Sequence, residues 1–310
     1  MDRKFWLNLL RIIIGVLLII FILIRIDLNR FINVVKGVEL IILLPAFAPY
    51  LLFIILSSWR WKILLDYQGF NINFVTLVKY YFISLLFGQA LPTTVGGDIV
   101  RVVYLKDRKA DAFAVVVMDR LLGFLGLFIF ALGVTFGIYL IQRQTFFLRF
   151  ILIGIVVISF IITVLLSRRS FNLFSKLFLK IRFLKLGERI NNVYGIINRF
   201  RSARIEILLC LLVSFLIQTV LAIGPYLVHR ALPVKPISVG YFLLCVPLIN
   251  IIAMIPISPG ALGVRESSFV FFFPKFGLSE PSAFAISVLA KFIEIIIYVI
   301  GGTICYFRKR

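Results

Sequence analysis

Ionisable side chains inside long apolar segments are the residues of this sequence whose types could carry chemistry. They are Lys79, Asp98, Arg101, Asp119, Arg120, Arg265, Glu266, Lys291 and Glu294. A charge held in hydrocarbon is costly, so such groups usually face a wet cavity or one another. Arginine offers a rigid fork of donors to phosphate. We therefore predict that Arg101, Arg120, Arg265 and Lys291, with Asp98, Asp119 and Glu266, form a buried site for an anionic group.

Asp119 and Arg120 are adjacent, so they point to different faces of a helix and are expected to find partners elsewhere. Lys291 and Glu294 are three residues apart and could pair locally on one helix face. That local pair is the structural alternative to a binding role for Lys291.

Two Pro- and Gly-containing segments carry three of these charges. The segment 91–101 (LPTTVGGDIVR) aligns without gaps to 255–265 (IPISPGALGVR). Proline ends a helix and glycine permits backbone conformations closed to other residues, so each segment suits the tip of a helical hairpin. The predicted tip residues are Pro92, Gly96, Gly97, Pro256, Pro259, Gly260 and Gly263. A kinked membrane helix capped by Asp98 is the alternative for the first segment.

A second match follows each segment and indicates an internal repeat. Ala112-Phe113-Ala114 leads to Arg120, and Ala283-Phe284-Ala285 leads to Lys291, each eight residues after the first alanine. We predict a duplication, with a first membrane repeat over residues 1–145 and a second over residues 146–310.

Composition predicts an all-α, polytopic membrane protein. Hydrophobic residues make up 62% of the 310 residues and charged residues 15%, whereas a soluble domain is about half apolar and about a quarter charged. Several apolar blocks reach the roughly 20 residues that cross a bilayer core. The net charge of +21 fits juxtamembrane Lys and Arg that orient the chain, and without a soluble basic module it does not indicate nucleic-acid binding.

The placement of basic residues predicts the topology. If every apolar block spanned the membrane, the ten basic residues between Arg168 and Arg204 would lie outside, against the positive-inside tendency. Re-entrant hairpins near 74–104, from the cytoplasm, and near 239–273, from outside, remove that conflict. The chain then has six spans, cytoplasmic N- and C-termini, and two repeats of opposite orientation, which is a transporter architecture.

Two further segments are expected at the membrane surface. The loop 167–206 carries apolar residues at helical spacing with interleaved lysines, which predicts an amphipathic helix on the cytoplasmic face. Trp59 and Trp61 flank Arg60, and tryptophans beside basic residues are typical of an interfacial belt.

Signals for catalysis or a bound cofactor are weak. His229 is the single histidine, and Cys210, Cys245 and Cys305 lie in separate apolar blocks without metal-ligand spacing. The sequence carries no zinc-protease, nucleophile-elbow or nucleotide-binding motif. We expect no metal, no cofactor and no enzymatic activity.

Three motifs in this order resemble a known family. They are P-x-x-x-G-G-D-x-x-R from Pro92, D-R-x-x-G from Asp119 and G-x-x-G-V-R-E from Gly260. The combination is similar to the flippase-like family of the lysylphosphatidylglycerol synthase transmembrane region, over roughly residues 5 to 307. The resemblance implies movement of modified lipids between leaflets. Members that make the lipid carry a soluble synthase domain after this region. The present sequence ends at Arg310, so we do not expect aminoacyl transfer.

The leading prediction is translocation of a polar or anionic-headgroup lipid in a cytoplasmic-type membrane. The expected partners are membrane lipids, with a lipid-synthesis enzyme as a further candidate. Two alternatives remain open: a membrane-embedded enzyme that acts on a lipid or lipid-linked glycan, and a scaffold subunit for such synthesis. The sequence gives neither the cargo nor the oligomeric state.

Overall fold

The computed structural model describes residues 3–90, 96–105, 108–142, 202–255 and 257–307, with isolated residues at 156, 195 and 200. Within these ranges all regular secondary structure is helical. In chain order the helices are α1 (Arg3–Arg25), α2 (Leu28–Lys36), α3 (Leu40–Tyr67), α4 (Phe74–Ala90), α5 (Gly96–Tyr104), α6 (Lys109–Gln142), α7 (Arg204–Arg230), α8 (Val239–Ala253), α9 (Val264–Phe272) and α10 (Glu280–Phe307).

Four of these helices are long and apolar enough to cross a membrane. They are α3, the Lys109–Gly137 part of α6, α7 and α10, and they contain between 27 and 29 residues each. At 1.5 Å of rise per residue, about 20 residues already cover the roughly 30 Å hydrocarbon core. α1 and α2 form one further candidate, bent by 94°. The predicted all-α polytopic membrane fold is therefore confirmed, with four or five spans in the described part of the chain.

α4 and α5 are too short to span, and they pack against each other as an antiparallel pair. Gly97 of α5 lies against the Ser84 carbonyl and the Gly88 Cα of α4. Four residues further along α5, the Arg101 guanidinium lies 4.9 Å from the ring centroid of Tyr81. Residue numbers thus rise along α5 as they fall along α4. The two helices are therefore antiparallel, and the re-entrant hairpin over 74–104 stays a prediction.

α8 and α9 form a second antiparallel pair. The ring centroids of Phe242 and Phe273 lie 4.7 Å apart, and those of Tyr241 and Phe276 lie 4.2 Å apart. The partners belong to α8 and to the 3-10 turn Phe273–Phe276 that follows α9. The helices near 239–273 therefore pack as a pair, and the re-entrant hairpin predicted there stays a prediction. The side of the membrane from which each pair enters, and the inversion of the repeat, stay predictions.

The chain divides into two compact units. Unit 1 comprises Met1–Leu56, Val75–Arg101 and Leu216–Arg310, and unit 2 comprises Ser57–Phe74 and Val102–Phe215. Each unit draws on both halves of the sequence. The predicted duplication, with a boundary between the two repeats near residue 145, stays a prediction.

The core of unit 1 includes a small apolar cluster where the bend between α1 and α2 meets α10. Ile22, Ile26 and Phe284 are buried there, and the Phe31 ring lies 5.2 Å from that of Phe284. The Asp27 carboxylate caps α2 by accepting the Arg30 N–H, which terminates α1 and starts α2 in a new direction. This cluster fixes the end of α1 against the start of α10.

Candidate functional site

The densest group of buried charges in the described part of unit 1 surrounds Glu294. An Nη1 of Arg265 donates to one carboxylate oxygen of Glu294, and the Lys291 Nζ donates to the other, both at 2.9 Å. The three side chains are 14 or 15% exposed. The local pairing of Lys291 with Glu294 is confirmed, and Arg265 of α9 joins it from another element.

Two tyrosines complete this group. Tyr50 of α3, 1% exposed, and Tyr298 of α10, 4% exposed, lie close enough to Arg265 and Glu294 to interact with both electrostatically. The Nε of Arg265 is buried without a hydrogen-bond partner among the described residues. We call Tyr50, Arg265, Lys291, Glu294 and Tyr298 the Glu294 cluster.

The first hairpin brings its own pair of charges. The Asp98 carboxylate accepts a hydrogen bond from an Nη2 of Arg101 on the same face of α5, and both residues are at most 7% exposed. Arg101 also packs over Tyr81, and Tyr81 interacts electrostatically with Tyr298. Tyr81 thus contacts Arg101 and lies within electrostatic range of Tyr298 of the Glu294 cluster.

Glu266 holds the start of α9. Its carboxylate accepts the Gly263 N–H at 2.7 Å, and the residue is 5% exposed. Gly263 has a φ of 79°, and a Cβ at this position would lie 2.7 Å from the Gly15 carbonyl oxygen of α1. A glycine is required here twice over, for the backbone conformation and for the contact with α1. This geometry directs Arg265, two residues later, toward α10.

Unit 2 contains a separate buried ion pair. The Arg60 Nε donates to Asp119 at 2.7 Å, and its Nη1 donates to the Ser214 hydroxyl at 3.0 Å. Gly123, one turn after Asp119, leaves room for the guanidinium, because a Cβ there would lie 3.1 Å from both Arg60 Nη atoms. The D-R-x-x-G motif thus forms a receptacle for Arg60 within unit 2. Arg120 belongs to the same unit and is partly buried.

Two surface interpretations are wrong. Arg60, the basic residue of the predicted interfacial belt, is 7% exposed, and Trp61 is fully buried rather than interfacial. The buried partner Asp119 draws Arg60 inward, and Trp61 fills the core beside it. Trp59, at 47% exposure, remains compatible with an interfacial position.

The structure brings some of the predicted site residues together. Asp98, Arg101, Arg265, Glu266 and Lys291 belong to unit 1, and Asp119 and Arg120 belong to unit 2.

The tip residues Gly96, Gly97, Pro259, Gly260 and Gly263 are described. Pro92, Pro256 and nearly all of the loop 167–206 lie outside the described residues.

Sequence reasoning missed Tyr50, Tyr81 and Tyr298 and underrated Glu294. Tyrosine is common in apolar spans, so its presence there is no signal of a site. The local sequence does not show that the tyrosine packs beside a charged residue of another helix. The glutamate was visible as a charge in α10, but only as a local partner of Lys291.

Comparison with known proteins agrees with this architecture. The family model described as the lysylphosphatidylglycerol synthase TM region matches residues 8–302. A UPF0104 membrane protein of Pyrococcus horikoshii is 23% identical, with 97% of each chain covered. A second UPF0104 membrane protein, of Archaeoglobus fulgidus, is 25% identical, with 79% of each chain covered. The protein is therefore a multi-pass membrane protein that belongs to the family of the lysylphosphatidylglycerol synthase transmembrane region.

Proposed function

We propose that this protein translocates a lipid with an anionic or phosphate-bearing headgroup between the leaflets of a cell membrane. The observation that carries the proposal is the Glu294 carboxylate bound by both Arg265 and Lys291 in helices of apolar character. Ionisable groups at such positions usually mark a substrate or ion pathway.

The two cations of the cluster favour an anionic headgroup. Arg265 and Lys291 share the Glu294 carboxylate, while Glu266, which also interacts with Arg265, accepts the Gly263 N–H. A headgroup phosphate would accept hydrogen bonds from the guanidinium and the ammonium. The Tyr50 and Tyr298 hydroxyls would supply further donors beside it. The headgroup would then find in the cluster part of the solvation that hydrocarbon lacks.

The two hairpins supply the route for the headgroup. Non-helical backbone at membrane depth is tolerated only where it is buried in protein or lines a wet cavity. Tips that meet near the midplane in an inverted repeat form the site of many transporters. In this proposal the headgroup passes between the tips while the acyl chains stay in lipid. Asp98, Arg101 and Glu266, which belong to unit 1, would line or shape that route.

The predicted topology and the sequence motifs bear on the orientation of the protein and on the energy source for transport. The termini lie in the cytoplasm, on the side with most basic residues. The sequence contains no nucleotide-binding motif, so movement is passive, coupled to a gradient, or driven by a partner such as a lipid-synthesis enzyme.

Proteoliposomes test the proposal directly. Fluorescent phosphatidylglycerol or a polyprenyl-phosphate analogue is reconstituted with the purified protein, and outer-leaflet probe is bleached with dithionite. Without lipid movement, the loss of fluorescence reaches a plateau when the outer-leaflet half of the probe is bleached. With wild-type protein the loss is expected to go beyond that plateau. Arg265→Gln and Lys291→Gln are expected to stop near it. Arg30→Gln, which removes an exposed cation from α2, is the matched control and should behave as wild type.

Three outcomes oppose the proposal. If folded Arg265→Gln and Lys291→Gln both bleach as wild type, the Glu294 cluster is not on the route. If wild type itself stops at the plateau for both probes, passive movement of these lipids is excluded and a scaffold role is favoured. If mass spectrometry of the reconstituted lipids shows a chemically changed product, the protein acts as an enzyme.

A further inference from the structure

A groove in unit 1 lies apart from the Glu294 cluster, between the end of α1, the face of α9 and the start of α10. It has a volume of about 600 Å³. Phe21, Ile22 and Phe271 contribute apolar walls, while Arg25, Lys275 and Glu280 stand at its polar end. The groove is therefore amphipathic, with an apolar floor and a charged rim.

The ion pair between Arg25 and Glu280 at the rim of the groove is long and exposed. The closest approach of Arg25 and Glu280 is 3.8 Å between Nη2 and Oε1, and the Arg25 side chain is 64% exposed. A pair of this length and exposure contributes little stability. Two cations, Arg25 and Lys275, thus stand with one carboxylate, Glu280, beside an apolar groove.

Lys275 is held at the wall of the groove rather than extended away from it. Its Nζ lies 4.0 Å from the ring centroid of Phe271, a distance typical of a cation–π contact. Phe271 itself is 55% exposed. The contact thus places an ammonium at the boundary between the apolar wall and the charged rim.

The position of the groove matches the depth of lipid headgroups. Arg25 is the last residue of α1, directly after the apolar run that begins at Leu9. Glu280 is the first residue of the spanning helix α10. Charged residues at the ends of spans lie at headgroup level, and cations there attract anionic lipid.

We propose that this groove is a binding site for one phospholipid. The lipid phosphate binds Arg25 and Lys275, and an acyl chain lies along Phe21, Ile22 and Phe271. Charge complementarity selects the phosphate, and the exposed aromatic wall selects the chain. This binding does not depend on the proposed transport, because a phospholipid that never changes leaflet would occupy the groove as well.

Native mass spectrometry of the full-length protein in detergent micelles tests the site. Phosphatidylglycerol is titrated, and a diacylglycerol with the same acyl chains serves as the lipid without phosphate. Arg25→Gln and Lys275→Gln are each expected to lower phosphatidylglycerol affinity by about fivefold, the upper range for one exposed charge contact. Arg30→Gln, with the same charge change outside the groove, should leave the affinity unchanged. None of these variants should alter diacylglycerol binding.

Glu280→Gln separates phosphate binding from a merely structural ion pair. Removal of the carboxylate releases Arg25 for the phosphate, so phosphatidylglycerol affinity is expected to rise at least about twofold. If the Arg25–Glu280 pair only held the groove together, Arg25→Gln and Glu280→Gln would weaken binding alike, and the proposal would be wrong. Equal affinity for phosphatidylglycerol and diacylglycerol in wild type would also overturn it.

Discussion

The Arg265 guanidinium lies 2.9 Å from the Glu294 carboxylate, although 29 residues separate the two in the chain. Arg265 follows directly on the second hairpin tip, and Glu294 lies in the middle of the spanning helix α10. This ion pair therefore links α9 to the spanning helix α10 within an apolar environment. The pair has a structural consequence that can be measured apart from transport.

Removal of one partner of this pair should destabilise the protein more than removal of both. A buried charge without its partner typically costs about 3–5 kcal/mol, whereas replacement of both partners by apolar groups is often close to neutral. We expect Arg265→Met and Glu294→Leu to lower the thermal unfolding temperature in detergent strongly. The double variant should recover part of the loss. Because Lys291 also binds Glu294, the recovery should be larger when Lys291→Met is added. Strictly additive losses would contradict the coupling.

Gly123 should be required by size, because it faces the Arg60 guanidinium. A Cβ at Gly123 would lie 3.1 Å from the two Nη atoms, whereas a Cβ at Gly133 of the same helix would meet nothing within 4 Å. We expect Gly123→Val to lower the unfolding temperature by displacing Arg60 from Asp119. Gly133→Val is the matched control and should be close to neutral, since valine has a higher helix propensity than glycine. Equal effects at both positions would exclude the receptacle role of the D-R-x-x-G motif.

The second hairpin tip allows backbone strain and close contact to be separated. Gly260 and Gly263 both have positive φ, 59° and 79°, but only a Cβ at Gly263 would meet α1, 2.6 Å from the Leu18 Cβ. Gly260→Ala should cost only the conformational penalty, about 1–2 kcal/mol. Gly263→Ala should cost clearly more in the same unfolding assay, because the alanine must also push α1 away. Equal losses would mean that α1 yields without cost.

Local patterns were sufficient to predict the four long spanning helices, the helical character of the two Pro- and Gly-containing segments and the Lys291–Glu294 pair. Each depends on spacing within one segment: apolar runs of spanning length, Pro and Gly at a tip, or a three-residue offset on a helix. The Arg60–Asp119 pair joins residues 59 positions apart, and no local pattern encodes that distance. The same reason explains Trp61, whose neighbours predicted an interface while its tertiary packing buries it.

The polar cluster shows the same division. Arg265 and Lys291 were identifiable because a charge in an apolar run is costly wherever it lies. Tyr50 and Tyr298 were not, because tyrosine is compatible with a core, an interface or a site. Only the packing of α3 and α10 around Arg265 distinguishes these cases.

The predicted re-entrant topology can be tested by cysteine labelling at the ends of the two hairpins. Each of Asn71, Lys109, Lys235 and Ser279 is replaced singly by cysteine in a variant without Cys210, Cys245 and Cys305. These four positions precede or follow α4–α5 and α8–α9. Membrane-impermeant maleimide is then applied to sealed cells and to inverted vesicles. If both pairs are re-entrant, the first two sites should react from the cytoplasm and the last two from outside.

The labelling pattern discriminates because a spanning hairpin cannot reproduce it. Were α4–α5 or α8–α9 to cross the membrane, the two ends of that pair would react from opposite sides. A spanning α4–α5 would also place the ten basic residues of 168–204 outside, where the positive-inside tendency disfavours them. Same-side labelling at both hairpins, but on opposite faces of the membrane, would establish the inverted repeat. It would also supply the geometry through which a lipid headgroup could reach Arg265 and Lys291 from either leaflet.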